Sequence, residues 1–297
     1  MNAVRQVVAA ALVLGATGVA GTAQRDSPPQ ATQTFRSRST MVSVDVSVRS
    51  GNKPVPGLAP TDFLLTDNGV PQTIELVDVD AVPVDISLVV DVSGSTAAQL
   101  NQYKADVKGI ATTIRPQDRL RVITFGTDPK QIMALQPAGV IPDVDDMDAG
   151  SSSSVYDGIA AALIRSVDLD RRHLIVAFTD GRENSSILTL EMLMGIAKQS
   201  ESVLHVSGSS SRPLNEVAEA TGGANHMPPM PLGRGRGMHV AGSMLNDFRK
   251  IVEVFRQSYV LRYRPTGVKP DGWHDVKVTL VRRGRFDIRA RRGYFGG

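Results

Sequence analysis

Five oxygen-bearing side chains, far apart in the sequence, have the types and settings of a cation site. Asp91, Ser93 and Ser95 follow the apolar run in VDISLVVDVSGST, and Asp180 ends the run LIVAFTDG. Between them, SSSSVYDGI places Ser153 at the mouth of a helix. Two carboxylates and three hydroxyls, with no Cys or His among them, suit a hard divalent ion. Mg²⁺ is the expected cofactor, with Mn²⁺ or Ca²⁺ as alternatives, and Zn²⁺ is a poorer match.

The flanking residues say how such groups can meet. Ile86, Leu88, Val89 and Val90 form a continuous apolar run, as a strand buried on both faces requires. Asp91 then falls at its carboxyl end, where open α/β sheets bind ligands. Ser93 and Ser95, two residues apart in the following loop, can turn toward one point. Leu174, Ile175, Val176 and Phe178 make a second such strand, closed by Asp180 and Gly181. Singly, Ser-Gly and Asp-Gly are ordinary turn dipeptides. Together, at two strand ends with Ser153 between, they read as one site.

The order Asp-x-Ser-x-Ser, a hydroxyl ahead of Tyr-Asp-Gly-Ile, then Thr-Asp-Gly resembles the metal-ion-dependent adhesion site of von Willebrand factor type A domains. The resemblance covers roughly residues 82–257. It implies that Ser93 and Ser95 ligate the metal directly and that Asp91 and Asp180 hold it largely through water. Ser153 fills the place usually held by Thr, keeping the hydroxyl but losing the methyl that restricts χ1. The resemblance also implies a doubly wound, mostly parallel α/β sheet.

The coarse pattern agrees with that fold class, since strands and helices alternate. Ala97, Leu100, Val107, Ile110 and Ile114 recur at helical intervals, as do Val155, Ile159, Leu163 and Val167. Leu120–Phe125 reads as a strand, with Ile132–Leu135 as a short edge partner. Leu190, Leu193, Met194 and Ala197 mark another helix, followed by the strand Val203–Val206. Helices over Leu214–Ala220 and Met244–Phe255 complete the domain.

Residues 1–23 carry Arg5, an apolar stretch from Val7 to about Gly21, and small residues at Gly21 and Ala23. That is the pattern of a secretory signal peptide, and it predicts an exported, periplasmic or secreted chain with no transmembrane helix once processed. Residues 24–38 read as a polar linker. The absence of cysteine excludes disulfides and lipid-modified thiols. Residues 39–80 show period-two alternation at Val42, Val44, Val46 and Val48, and residues 258–297 show it at Tyr259–Tyr263, Val276–Leu280 and Phe286–Ala290. Each segment has too few strands to stand alone. The expectation is one small β-sandwich built from both, with the α/β domain inserted. The phrases VPGLAPTDFLLTDNGVPQ and VRRGRFDIRARRGYF also resemble flanks of exported bacterial type A-related proteins.

The formal charge is only +3, but residues 256–297 hold eleven Lys and Arg against three Asp. Their alternation with apolar residues places them on the solvent face of a sheet. If that face takes a partner, an anionic polymer or envelope surface fits it, and export argues against nucleic acid. GRGRG at 233–237 lacks phosphate-loop spacing. Asp143, Asp145, Asp146 and Asp148 lack the Gly and Glu of a calcium loop and read as a solvated acidic segment. The five histidines show no paired metal spacing, and His173 and His205 read as packing residues. No G-x-S-x-G elbow is present.

These readings favour a protein-binding, adhesion-type module whose metal recognises an acidic residue of a protein partner, and no enzyme. Gln99, Asn101, Asn184 and the acidic segment at 143–148 are candidates for its rim. The alternatives are a metal-assisted hydrolase using Asp91 and Asp180, for which no base or activated nucleophile is evident, and a scaffold with a vestigial site.

Overall fold

In the computed structural model the described residues are 41–51, 53–77, 82–164, 168, 170–226 and 244–297. The expected signal segment, the linker and the GRGRG run lie outside them.

The N-terminal alternation produces β1 (Val42–Ser50), which buries Val42, Val44, Val46 and Val48 on one face. β2 (Lys53–Pro54) folds back on it. β3 (Phe63–Asp67) and β4 (Val70–Pro71) form a hairpin through Asn68 and Gly69, both at positive φ, and β5 (Ile74–Val77) follows. The chain then enters the α/β region. Its elements are β6 (Val84–Asp91), α1 (Leu100–Ala111), β7 (Arg119–Phe125), β8 (Pro129–Pro137), α2 (Val155–Leu163) and β9 (Arg172–Phe178). After these come α3 (Leu190–Gln199), β10 (Val203–Ser207), α4 (Arg212–Ala220), β11 (Ala224–His226) and α5 (Met244–Arg256). Four strands close the chain: β12 (Tyr259–Tyr263), β13 (Gly272–Leu280), β14 (Asp287–Ala290) and β15 (Gly293–Gly296).

The α/β region carries a sheet of order β11-β10-β9-β6-β7-β8. Every neighbouring pair is parallel except β7 and β8. Ile86, Leu88 and Val90 of β6 face a cluster with Val107 and Ile110 of α1 and Phe248 and Ile251 of α5. Val89 faces the other way, against Val155 and Ile159 of α2, Leu193 of α3 and Leu214 of α4. Helices on both faces explain why β6 and β9 are apolar at consecutive positions rather than at alternate ones.

The remaining strands form two antiparallel sheets, β14-β1-β12-β5 with β2 on β1, and β15-β13-β3-β4. Strands from both ends of the chain are therefore hydrogen-bonded to each other in each sheet. Val44, Val46, Leu65, Leu261, Tyr263, Val276 and Val278, drawn from both, share one apolar cluster. Inside it, buried Asp67 accepts from His274 Nδ1 at 2.8 Å, Tyr294 Oη at 2.9 Å and Tyr263 Oη at 3.0 Å. Three donors from β12, β13 and β15 thus satisfy a carboxylate on β3 that burial would otherwise penalise.

Several expectations need correction. The edge partner of β7 is nine residues long, not four. Only Met133 within it is buried, so most of its length lacked an apolar signal. Ala97 belongs to a 3₁₀ turn over Gly94–Gln99 that precedes α1, and Phe286 lies just before β14. The helix over Val155–Leu163 ends before Val167, which lies outside the described residues.

Candidate metal centre

Asp91 is the last residue of β6 and is fully buried. Parallel pairing of β6 with both β7 and β9 leaves its carboxylate at the carboxyl end of the sheet. The loop after it tightens at once. Ser93 N donates to Asp91 Oδ1 at 2.9 Å, and Thr96 Oγ1 donates to the Asp91 and Ser93 carbonyls at 3.0 and 2.9 Å. This Asx-type turn brings Ser93 Oγ within 3.2 Å of Ser95 Oγ. Ser93 is buried and Ser95 exposed, so their hydroxyls run from the sheet edge outward.

Ser153 arrives from the segment before α2. Its Oγ donates to Asp91 Oδ2 at 3.4 Å, and it is 2 % exposed. Its backbone is held on both sides. Ser153 N donates to Asn184 Oδ1 at 2.8 Å, and the Ser153 carbonyl accepts from Asn184 N at 3.0 Å. Asp180 follows β9. Its Oδ1 accepts from Arg182 N at 3.0 Å, while its Oδ2 lies 3.6 Å from Arg182 Nε. Arg182 is mostly solvated, so this pair contributes little. Gly181 takes φ +77° where the chain turns away, and a side chain there would collide with Ser209.

Asp91, Ser93, Ser95 and Ser153 are thus joined by contacts. Asp180 reaches them through charge. Burial pushes the Asp91 carboxyl above the ordinary carboxylate range; hydrogen bonds from Ser93 and Thr179 oppose that rise, and the Asp180 charge adds to it. Burial likewise raises the Tyr103 phenol, with the Asp91, Asp180 and Asp106 charges adding. Among the described residues no Lys or Arg pairs with Asp91. Two neighbouring carboxylates, one buried, with three hydroxyls and no internal counter-cation, suit a divalent ion by donor chemistry. Among the described residues no group of three or more His, Asp or Glu side chains is placed to hold a metal ion, so any metal here depends on the hydroxyls.

The residue the sequence reading passed over is Thr179. Its Oγ1 donates to Asp91 Oδ2 at 2.7 Å and accepts from Gly181 N at 3.0 Å. Its only signal was its place before Asp180. Glu183 and Asp157 were also unforeseen. Glu183 accepts from Tyr156 N, Ser185 N and Ser186 N, and Asp157 from Ile187 N and Leu188 N, which fixes the loop beyond Asp180.

The rim candidates divide. Asn101 is exposed. The Gln99 Oε1 atom is buried without a hydrogen-bond partner, whereas Asn184 is exposed and its Oδ1 accepts from Ser153 N. Asp143, Asp145, Asp146 and Asp148 are exposed, while Val144 and Met147 pin their loop to the core. The histidines do form one pair despite their spacing. His205 Nδ1 and His226 Nε2 are 2.7 Å apart with rings stacked at 5.0 Å, because β10 and β11 run side by side.

Residues 85–227 match the sequence profile of the von Willebrand factor type A domain. The chain carries a von Willebrand factor type A domain, and Asp91, Ser93, Ser95, Ser153 and Asp180 all fall within it. No curated protein matches the chain. Among solved structures, an aerotolerance-related membrane protein from Bacteroides fragilis is 14 % identical, with 59 % of this chain and 99 % of that one covered and a TM-score of 0.40. Proximal thread matrix protein 1 from the mussel byssus, solved with a zinc-occupied metal-ion-dependent adhesion site motif, is 16 % identical; 65 % of this chain and 50 % of that one are covered, with a TM-score of 0.43. The type A domain of SpRpn10 is 16 % identical, covering 50 % of this chain and 89 % of its own, with a TM-score of 0.38. Among the described residues, no helix is long and apolar enough to cross a membrane.

Proposed function

We propose that this chain is an exported protein-binding module whose type A domain holds a divalent ion, Mg²⁺ in the first instance, through Asp91, Ser93, Ser95, Ser153 and Asp180. The observation that supports the reading is the buried Asp91 carboxylate at the end of β6, hydrogen-bonded to Ser153 and to the turn that carries Ser93 and Ser95, with Asp180 adding its charge. Thr179 and Asn184 act behind them by orienting Asp91 and Ser153. A bound ion supplies a coordination position that a carboxylate from a partner protein can complete. Asp91 and Asp180 balance the ion's two charges and the hydroxyls add none, so the loaded site carries no excess negative charge to repel an acidic side chain that completes the ion's coordination. Among the described residues no activated nucleophile pairs with a base at the site, which supports recognition over catalysis.

The same proposal treats residues 39–80 and 258–297 as one β-sandwich that presents the domain, and residues 1–23 as an export signal. Capture of partners from envelope and culture fractions, with Mg²⁺ and with chelator, tests it. Chelation and Asp180→Ala should each abolish the same captured band. A partner retained equally under both conditions would sink the reading.

A further inference from the structure

We propose that the turn joining β13 to β14, together with the outer face of β3, docks on an anionic lipid bilayer surface. Leu64 and Val281 are 46 % and 68 % exposed, although both are large and aliphatic. They are neighbours. Leu64 is paired with Thr279 across β3 and β13, on the face opposite buried Phe63 and Leu65, and Val281 follows two residues later. Lys277 lies on the same outer face, paired with Thr66.

The turn itself is built rather than loose. Val281 N donates to the Asp62 carbonyl at 2.9 Å, and Arg282 pairs with the Asp62 carboxylate at 2.9 Å. The Phe286 ring packs on the sandwich cluster and covers Gly284 so closely that a side chain there would meet it at 2.7 Å. Arg283 and Arg285 flank that glycine, both exposed, and among the described residues neither has an acidic partner within ion-pair reach.

Two exposed aliphatic side chains beside Lys277, Arg283 and Arg285 match the two requirements of an anionic membrane surface, a charged headgroup layer and an apolar layer beneath it. An anionic polymer would use the arginines and gain nothing from Leu64 and Val281, so the bilayer is favoured. This surface lies in the flanking sheets and uses no residue of the metal centre, so it stands independently of the metal reading.

Sedimentation of the full chain with phosphatidylcholine vesicles, with and without phosphatidylglycerol, tests the assignment at near-physiological salt. Binding should require the anionic lipid. Arg283→Glu with Arg285→Glu should weaken it by at least about 25-fold, at roughly fivefold for each basic group near an anionic leaflet. Leu64→Ser with Val281→Ser should weaken it as well. All four positions are exposed, so each double variant should unfold at the wild-type temperature. Equal binding to both vesicle types, or by wild type and the arginine variant, would overturn the proposal; the first is also what binding through the apolar leading segment would give. Full binding by the Leu64 and Val281 variant, with displacement by soluble polyphosphate, would reassign the surface to an anionic polymer.

Discussion

Thr179 Oγ1 lies 2.7 Å from Asp91 Oδ2, joining the end of β9 to the end of β6 across the sheet. The threonine hydroxyl fixes the orientation of the site's fully buried carboxylate. Replacing it with an isosteric apolar side chain removes the donor while keeping the packing. Thr179→Val should therefore lower divalent-ion affinity by about tenfold, the scale typical of lost outer-shell hydrogen bonds. Thr179→Ser should retain most of it. Calorimetric titration checks both, and an unchanged Thr179→Val would remove the orienting role.

A second prediction concerns the junction at the opposite end of β9. Arg172 is buried there, 2.5 Å from Asp45 Oδ1 of β1. It also donates to the Phe255 carbonyl at 2.9 Å and to Ser258 Oγ at 2.7 Å, and its guanidinium lies 3.9 Å from the Phe255 ring centre. Arg172→Met should destabilise the chain by about 3 kcal/mol, because it leaves the largely buried Asp45 carboxylate without its cation; the Phe255 carbonyl still accepts from Ser258 Oγ. Adding Asp45→Asn should recover part of that loss. Urea unfolding of the two variants measures it; a wild-type midpoint for Arg172→Met would contradict the clamp.

The His205–His226 pair sets a pH dependence. Burial pushes the two imidazoles down to about 3 and about 4 respectively, from an ordinary 6.5, with the Arg289 charge adding to both shifts and His226 adding to that of His205. The unfolded chain binds these protons more readily, so protonation favours unfolding. Their contribution to stability is complete above pH 6.5 and is lost as pH falls from 6.5 toward 4. At pH 5 each imidazole costs roughly 2 kcal/mol relative to pH 7.5. Urea midpoints at the two pH values should differ in wild type and converge in a His205→Gln, His226→Gln variant. Equal pH sensitivity in both would assign the effect elsewhere.

The flanking sheets make a further prediction. β12 lies between β1 and β5, and β13 between β3 and β15. Truncation after Phe255 removes both central partners and leaves β1 and β3 with open edges. The truncated chain should lose solubility and strand signal by circular dichroism. Retention of the full signal and the same unfolding temperature would mean that residues 39–80 do not depend on the tail.

The parts of the fold legible in the sequence were those with a strong periodic signal. β6 and β9 read as buried strands because both faces are covered, and the four valines of β1 alternate cleanly. β8 was underestimated because an edge strand with exposed ends has little apolar pattern. At the centre, the ligand-type residues were visible because oxygen-bearing side chains at strand ends are chemically conspicuous. Thr179, Glu183 and Asp157 were not, since each acts by a hydrogen bond to a group distant in sequence or to a backbone amide. The histidine pair was hidden for a similar reason. Its members meet only because β10 and β11 are adjacent in the sheet, 21 residues apart in the chain.

The most direct test of the central claim is calorimetric titration of Mg²⁺ and Mn²⁺ into the wild-type chain and into an Asp91→Ala, Ser93→Ala variant. The account predicts uptake of one ion by the wild type and none by the variant, which stays folded because the apolar clusters on both sheet faces hold the domain. Equal uptake by the two proteins, or none by the wild type, would contradict it.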